Sequence, residues 1–306
     1  MIQSILFLII GTVMLYYGAE WAVRSGSLIA RRLGISRLVI GLTIVAFGTS
    51  LPELIVSIVA AIEGNSTIAI GNVVGSNIAN VGLVLGLSAI IFPIIINFKD
   101  IQRDFYIYLG VCAIFLIFIF DGRLSRFEGG ILFISLVFYL LIRIKSPRGE
   151  KVEITENGGQ NLGKHIFLII IGFVLLAEGA NLFVSGAVAL ARFLGVSEIV
   201  IGMSIVAFGT SLPELATSVM AAFRKEGAIS IGNIIGSNIF NILSVLGLAA
   251  MIHPLNSPRS ILKLEIPFMI GFGLVMIPIA LMSQPIHRFV SFLLLLGYGV
   301  FLVLLF

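Results

Sequence analysis

A chain of 306 residues, 59% hydrophobic and only 11% charged, carries too little polar surface for a soluble fold, which typically has about 25% charged residues. Its single cysteine, Cys112, permits no intrachain disulfide, and its net charge of +4 is explained by the distribution of charge described next. Soluble enzymes, nucleic-acid binders and disulfide scaffolds are excluded, and the mean hydropathy of +1.16 marks an all-α polytopic membrane protein.

A spanning helix takes about 20 mainly apolar residues. Apolar runs predict ten transmembrane helices, at roughly 3–24, 39–62, 67–96, 104–120, 127–144, 165–190, 199–222, 228–252, 262–282 and 288–306. No Lys or Arg precedes the first run, so it lacks the basic start of a cleaved signal peptide and is expected to remain as a helix. Polar residues 145–164, with Gly158 and Gly159, read as a linker between halves 1–144 and 165–306. The connections alternate sides. One side gathers thirteen basic residues: Arg31, Arg32, Arg37, Lys99, Arg103, Arg143, Lys145, Arg148, Lys151, Lys164, Arg224, Lys225 and Arg288. The other has five: Arg123, Arg126, Arg192, Arg259 and Lys263. Positive charge marks the cytoplasmic face, so the N-terminus is expected outside the cell membrane and the linker in the cytoplasm.

The chain is written twice. A shift of 161 residues lays Gly11 on Gly172, Gly18 on Gly179 and Gly34 on Gly195. Residues 44–54 (IVAFGTSLPEL) fall on 205–215 with eleven identities in a row. Gly71, Asn72, Gly75, Ser76 and Asn77 fall on Gly232, Asn233, Gly236, Ser237 and Asn238, and Pro93 on Pro254. Five helices per half make the second copy enter the membrane from the opposite side. Two inverted-topology five-helix repeats result, a transporter architecture with its site near the midplane.

Within each repeat, Pro52 and Pro213 lack an N–H and clash with the carbonyls of Gly48 and Gly209, so carbonyls around 46–49 and 207–210 are expected to lose helical partners. Such backbone is tolerated at membrane depth only against protein or a wet cavity. Thr49, Ser50 and Glu53 share a helix face, as do Thr210, Ser211 and Glu214. Asn72, Ser76 and Asn80 follow at four-residue steps, as do Asn233, Ser237 and Asn241. Asn77 and Asn238 read as interhelical hydrogen-bonding residues, and the paired glycines as close-approach points. A charge at a helix centre costs about 2.5–3.5 kcal/mol even on the lenient scale. No Lys, Arg or His lies in 38–98 or 193–223 to neutralise Glu53 or Glu214, which points to a functional pair. Two carboxylates among neutral oxygens suit a hard cation. Ca²⁺ accepts 6–8 oxygens flexibly, Mg²⁺ fits less well, and Na⁺ can use the hydroxyls and carbonyls. Glu20 and Glu178 are not repeat equivalents and are expected at a helix end or vestibule.

The doubled GTSLPE motifs, each followed by GNxxGSNI (within 41–88 and 202–249), resemble the alpha repeats of the sodium/calcium exchanger family in the cation/calcium exchanger superfamily. The resemblance spans both halves and implies antiport of Na⁺ against Ca²⁺ as transported ions, with no cofactor and no enzymatic activity. It implies Ca²⁺ between Glu53 and Glu214 with the Thr49 and Thr210 carbonyls. It implies Na⁺ at Ala46, Thr49, Ser50 and Glu53 with Ser237, and at Ala207, Thr210, Ser211 and Glu214 with Ser76, while Asn80 and Asn241 complete the centre. Some relatives, including the potassium-dependent branch, have Asp where this chain has Asn241, which leans away from K⁺ co-transport. A short linker without regulatory domains resembles minimal prokaryotic members, expected to function as a monomer in the lipid bilayer. A proton- or potassium-coupled cation antiporter and a passive channel are the alternatives.

Overall fold

The computed structural model describes residues 1–94, 98–145, 162–196, 207–257, 259–281 and 285–305. Most of the expected linker, and residues 199–206 of the seventh expected helix, lie outside them. Helix α1 (Ile2–Leu33) leads to α2 (Arg37–Thr49) and α3 (Leu51–Ile62), which meet at a 45° bend. Then come α4 (Ser66–Ile91), α5 (Phe98–Ile119) and α6 (Arg126–Lys145). The second half has α7 (Leu162–Phe193), the short α8 (Ala207–Gly209), α9 (Leu212–Phe223), α10 (Gly227–Ile252), α11 (Arg259–Lys263), α12 (Glu265–Leu281) and α13 (Arg288–Leu305). A two-residue antiparallel ladder pairs Leu124 with Leu255 and Arg123 with Asn256. Among the described residues, seven helices are long and apolar enough to cross a membrane, eight if the bent α2–α3 pair is one span. The chain is a multi-pass membrane protein.

Local chemistry sets the helix ends. Helix α1 continues to Leu33, nine residues past the predicted end, because hydropathy detects the apolar part of a helix and not its polar extension. It stops at Gly34, whose φ of 64° is left-handed, and Gly195 repeats this after α7 at φ 79°. The closing bonds match as well: Ile35 N donates to the Ala30 carbonyl and Val196 N to the Ala191 carbonyl, each at 3.0 Å. Helices α4 and α10 end where a proline follows. Phe92 before Pro93 and His253 before Pro254 are both extended, with φ of −135° and −141°.

Helices α1 and α7 run antiparallel with their backbones in contact. A Cβ on Gly18 would lie 2.8 Å from the Gly172 carbonyl, and one on Gly11 would lie 2.7 Å from the Gly179 carbonyl. Each glycine thus meets the repeat counterpart of the other. Together with parts of α2 and α9, this pair forms an apolar cluster separate from the larger core of α4, α5, α6, α10, α12 and α13. On the α1 side the cluster contains small residues, Ala19, Ala22 and Ala30.

One charge sits where the sequence did not put it. Arg143, counted among the cytoplasmic loop charges, is fully buried 2.9 Å from Asp104, which also accepts from the Tyr139 hydroxyl at 3.2 Å. Cys112 is buried in the core, as a small apolar residue would be. Inserting a side chain between α1 and α7 is expected to be costly. Gly18→Val should destabilise the protein by about 1–3 kcal/mol, read as a lower thermal midpoint in detergent, whereas Gly110→Val, at a glycine with open space around it, should have little effect.

Candidate cation site

The site is built where helices break. In the backbone ladder, Ser50 N donates to the Ala46 carbonyl at 3.0 Å and Leu54 N to the Ser50 carbonyl at 3.1 Å. Between them, Pro52 has no N–H to offer the Gly48 carbonyl four residues earlier. The sequence expectation of freed carbonyls needs correcting at Ala46, which keeps its partner and also accepts from the Thr49 hydroxyl at 3.3 Å, and at Phe208, whose carbonyl accepts from Ser211 N at 3.2 Å. Ser50 and Ser211 precede the new helices in nearly the same conformation, φ −84° and −85°. Glu53 and Glu214 consequently fall in the first turns of α3 and α9, where the positive end of each helix dipole favours a carboxylate.

Both carboxylates are buried and contact the other half's residues as well as their own. Ser76 donates to Glu53 Oε1 at 3.4 Å, while Glu214 Oε1 accepts from Ser237 at 3.4 Å and from Ser50 of the first half at 3.2 Å. Thr49 Oγ1 lies 3.0 Å from Asn233 Oδ1 and 3.3 Å from Ser237 Oγ, and Thr210 donates to Asn72 Oδ1 at 3.3 Å. Asn80 donates to Asn238 Oδ1 at 3.0 Å and Asn241 to Asn77 Oδ1 at 3.1 Å. Asn77 and Asn238 thus hydrogen-bond between helices, as their positions suggested. Ser211 is buried with its hydroxyl unpartnered, and Ala46 is fully buried. Of Ala207 only its position at the start of α8 is described.

Because their amide N–H groups are taken, Asn80 and Asn241 are left with unpartnered Oδ1 atoms, and Glu53 Oε2 and Glu214 Oε2 are unpartnered too. Four buried acceptors from four helices lack a donor. Buried acceptors without donors are costly unless something positive meets them. Among the described residues no Lys, Arg or His forms an ion pair with either glutamate.

The sequence reading assigned no role to a second layer. Asn72 donates to the Glu53 carbonyl at 3.2 Å and to Ser57 at 3.0 Å, and Asn233 donates to the Glu214 carbonyl at 3.5 Å and to Ser218 at 3.1 Å. Ser57 and Ser218 are themselves related by the 161-residue shift, four positions after each glutamate, which is the signal that identifies them. The π-helical turns starting at Asn80 and Asn241 had no sequence signal of their own, though such turns are frequent at functional sites.

Among the described residues the packing around the cage differs between the halves. Gly232 and Gly236 of α10 pack against α2, their added Cβ atoms 2.6 Å from the Leu38 carbonyl and 2.7 Å from the Leu42 carbonyl. Their counterparts, Gly71 and Gly75, have none of the described residues within 4 Å, and residues 198–206, which the shift equates with most of α2, lie outside the described residues. Ion pairs cover the closed side. Arg224 donates to both oxygens of buried Glu20, at 2.7 and 2.5 Å, and Arg37 pairs with Glu226 at 2.9 Å while Ser27 donates to the same carboxylate at 2.7 Å. Glu20, expected at a helix end or vestibule, instead ties α1 to the turn after α9. That turn holds Lys225 at φ 59°, a strained conformation that the first half gives to Gly64.

A multi-pass helical fold around a buried cage of oxygen acceptors is the setting of a cation transporter. Residues 3–145 and 164–306 match the family described as sodium/calcium exchanger protein, and the chain belongs to that family. It is 38% identical to sodium/calcium exchanger MaX1 of Methanosarcina acetivorans, over 99% of this chain and 98% of that one. It is 42% identical to the uncharacterized membrane protein MJ0091 of Methanocaldococcus jannaschii, over 82% of each. Among solved structures it resembles the sodium-calcium exchanger NCX_Mj soaked with 10 mM Na⁺ and zero Ca²⁺, with a TM-score of 0.85, 38% identity and coverage of 98% of this chain and 97% of that one.

Removing Asn77 tests the amide framework. Asn77→Ala leaves the buried Asn241 amide without its acceptor, at about 1–3 kcal/mol, and takes from the Asn238 carbonyl one of its donors, and should lower the thermal midpoint with or without Ca²⁺ present.

Proposed function

We propose that this chain is a secondary antiporter exchanging Na⁺ for Ca²⁺ by alternating access, its ions held between Glu53 and Glu214. The observation that carries the reading is the set of four unpartnered acceptors, Glu53 Oε2, Glu214 Oε2, Asn80 Oδ1 and Asn241 Oδ1, with no Lys, Arg or His among the described residues paired to either glutamate. Bidentate glutamates with the Thr49 and Thr210 carbonyls would supply about six oxygens, the lower end of what Ca²⁺ accepts. Na⁺ ions would take Ala46, Thr49, Ser50 and Glu53 with Ser237, and Ala207, Thr210, Ser211 and Glu214 with Ser76. The names of MaX1 and NCX_Mj support the choice of ions.

Ten helices in two inverted repeats, 1–144 and 165–306, joined by a cytoplasmic linker and functioning as a monomer, complete this reading. The antiparallel glycine contacts of α1 with α7 and the matching bonds around each glutamate support the inversion. The closed side carries Arg37 and Arg224, so by the distribution of basic residues it faces the cytoplasm and the N-terminus lies outside. Exchange without leak follows from charge. An empty closed cage would hold two carboxylates in a low dielectric, whereas Ca²⁺ or several Na⁺ neutralise it, so only loaded forms change sides. Sliding of the α1–α7 pair along its small-residue cluster, past the larger core, would expose the cage to each side in turn.

Vesicles loaded with Na⁺ should take up radiolabelled Ca²⁺ when diluted into Na⁺-free medium, and Glu53→Gln or Glu214→Gln should abolish the uptake. Equal uptake driven by K⁺ or a pH gradient would reassign the coupling ion, and full uptake in Glu53→Gln would remove the glutamates from the mechanism. Loosening the closed side provides a separate check. Arg224→Gln removes a pair whose arginine is 45% exposed, worth about 1 kcal/mol after screening, so amide exchange at 223–229 should accelerate roughly fivefold while that at 62–66 is unchanged.

A further inference from the structure

One carboxylate at membrane depth belongs neither to the cage nor to the closed-side ion pairs. Glu178 is exposed on α7, and Asn181 and Ser185, also exposed, follow it at three and seven residues on the same helix face. All three line a cavity of about 910 Å³ whose other walls are largely apolar, among them Phe47, Ile55 and Phe173. Gly209 and Thr210 also line this cavity. Thr210 is hydrogen-bonded to Asn72, which donates to the Glu53 carbonyl, so the cavity reaches the edge of the cage. Among the described residues no basic side chain pairs with Glu178.

We propose that Glu178, Asn181 and Ser185 form an outer station for a partly hydrated monovalent cation, which collects the ion in the cavity and passes it to the Thr210 edge of the cage. The inference rests on the exchanger reading for the identity of the ion, Na⁺. One carboxylate with two neutral oxygens offers too few ligands and too little charge for Ca²⁺, which takes 6–8 oxygens. A single charge among low-dielectric walls concentrates counter-ions and speeds their arrival. The first repeat has no such station. The 161-residue shift maps Glu178, Asn181 and Ser185 onto Tyr17, Glu20 and Arg24, and there Glu20 is buried and neutralised by Arg224. Capture of this kind is therefore confined to one half.

The test uses the buried Cys112 as a silent background and adds one thiol by Asn181→Cys. A cationic methanethiosulfonate should label it about tenfold faster than an anionic one of similar size. Adding Glu178→Gln should bring the two rates together, and Na⁺ in place of choline at constant ionic strength should slow the cationic reagent only while Glu178 is present. In vesicles, Glu178→Gln alone should raise the Na⁺ concentration needed for half-maximal exchange several-fold and leave that for Ca²⁺ unchanged. Equal labelling rates with Glu178 in place, no labelling by either reagent, or an unshifted Na⁺ dependence would each overturn the station. The labelling requires no transport. If the charge preference and Na⁺ protection hold but the wild-type chain does not exchange Na⁺ for Ca²⁺, the exchanger reading fails and the station stands as a monovalent-cation site.

Discussion

Two carboxylates buried at membrane depth, with no basic partner among the described residues, are the constraint that organises this protein. A carboxylate there is tolerable only if dipoles and hydrogen-bond donors replace water without consuming every acceptor. The chain meets that requirement by breaking its helices just before each glutamate, so that Glu53 and Glu214 sit at fresh helix starts. It then fixes the surrounding amides with one another, Asn241 donating to Asn77 and Asn80 to Asn238, so that the oxygens of Asn80 and Asn241 are left over. Hydroxyls touch one oxygen of each carboxylate and leave the other unpartnered.

Duplication supplies this arrangement twice, and departures from symmetry give it direction. Helix α2 is packed onto α10 through Gly232 and Gly236, whereas none of the described residues comes within 4 Å of a Cβ on Gly71 or Gly75. Ion pairs hold α1 and α2 to the turn after α9, but the shift of 161 residues turns Arg224 into Glu63 and Glu226 into Asn65, so the same pairs do not form on the other side. An oxygen cage common to both halves is thus combined with ion pairing that differs between them.

Much of this was legible because the sequence repeats itself. Residues 44–54 and 205–215 mark the breaks, and the lack of basic residues around them marks Glu53 and Glu214 as candidates. The π turns were not legible, since nothing in the composition of 80–85 distinguishes them from ordinary helix and only packing of the surrounding helices selects that hydrogen-bond pattern. Partners distant in sequence were also hidden. Glu20 with Arg224, and Asp104 with Arg143, are opposite charges whose pairing depends on helix packing, so Arg143 was read as a loop charge. Hydropathy placed the membrane portion of α1 but ended it early, because its last turns are polar.

The π turns give α4 and α10 two separate duties along one helix. One surplus residue shifts the face presented downstream by about 100° relative to an unbroken helix. Upstream, Asn72 and Ser76 point to the cage, while downstream Gly82 and Gly86 pack against Phe272, Tyr298 and Leu295 of α12 and α13. In the second half Gly247 likewise packs against Gly129 of α6. Each repeat therefore places the far end of its site-bearing helix against the final helix of the other repeat. The two copies are interleaved, and neither has a complete packing surface when separated from its twin.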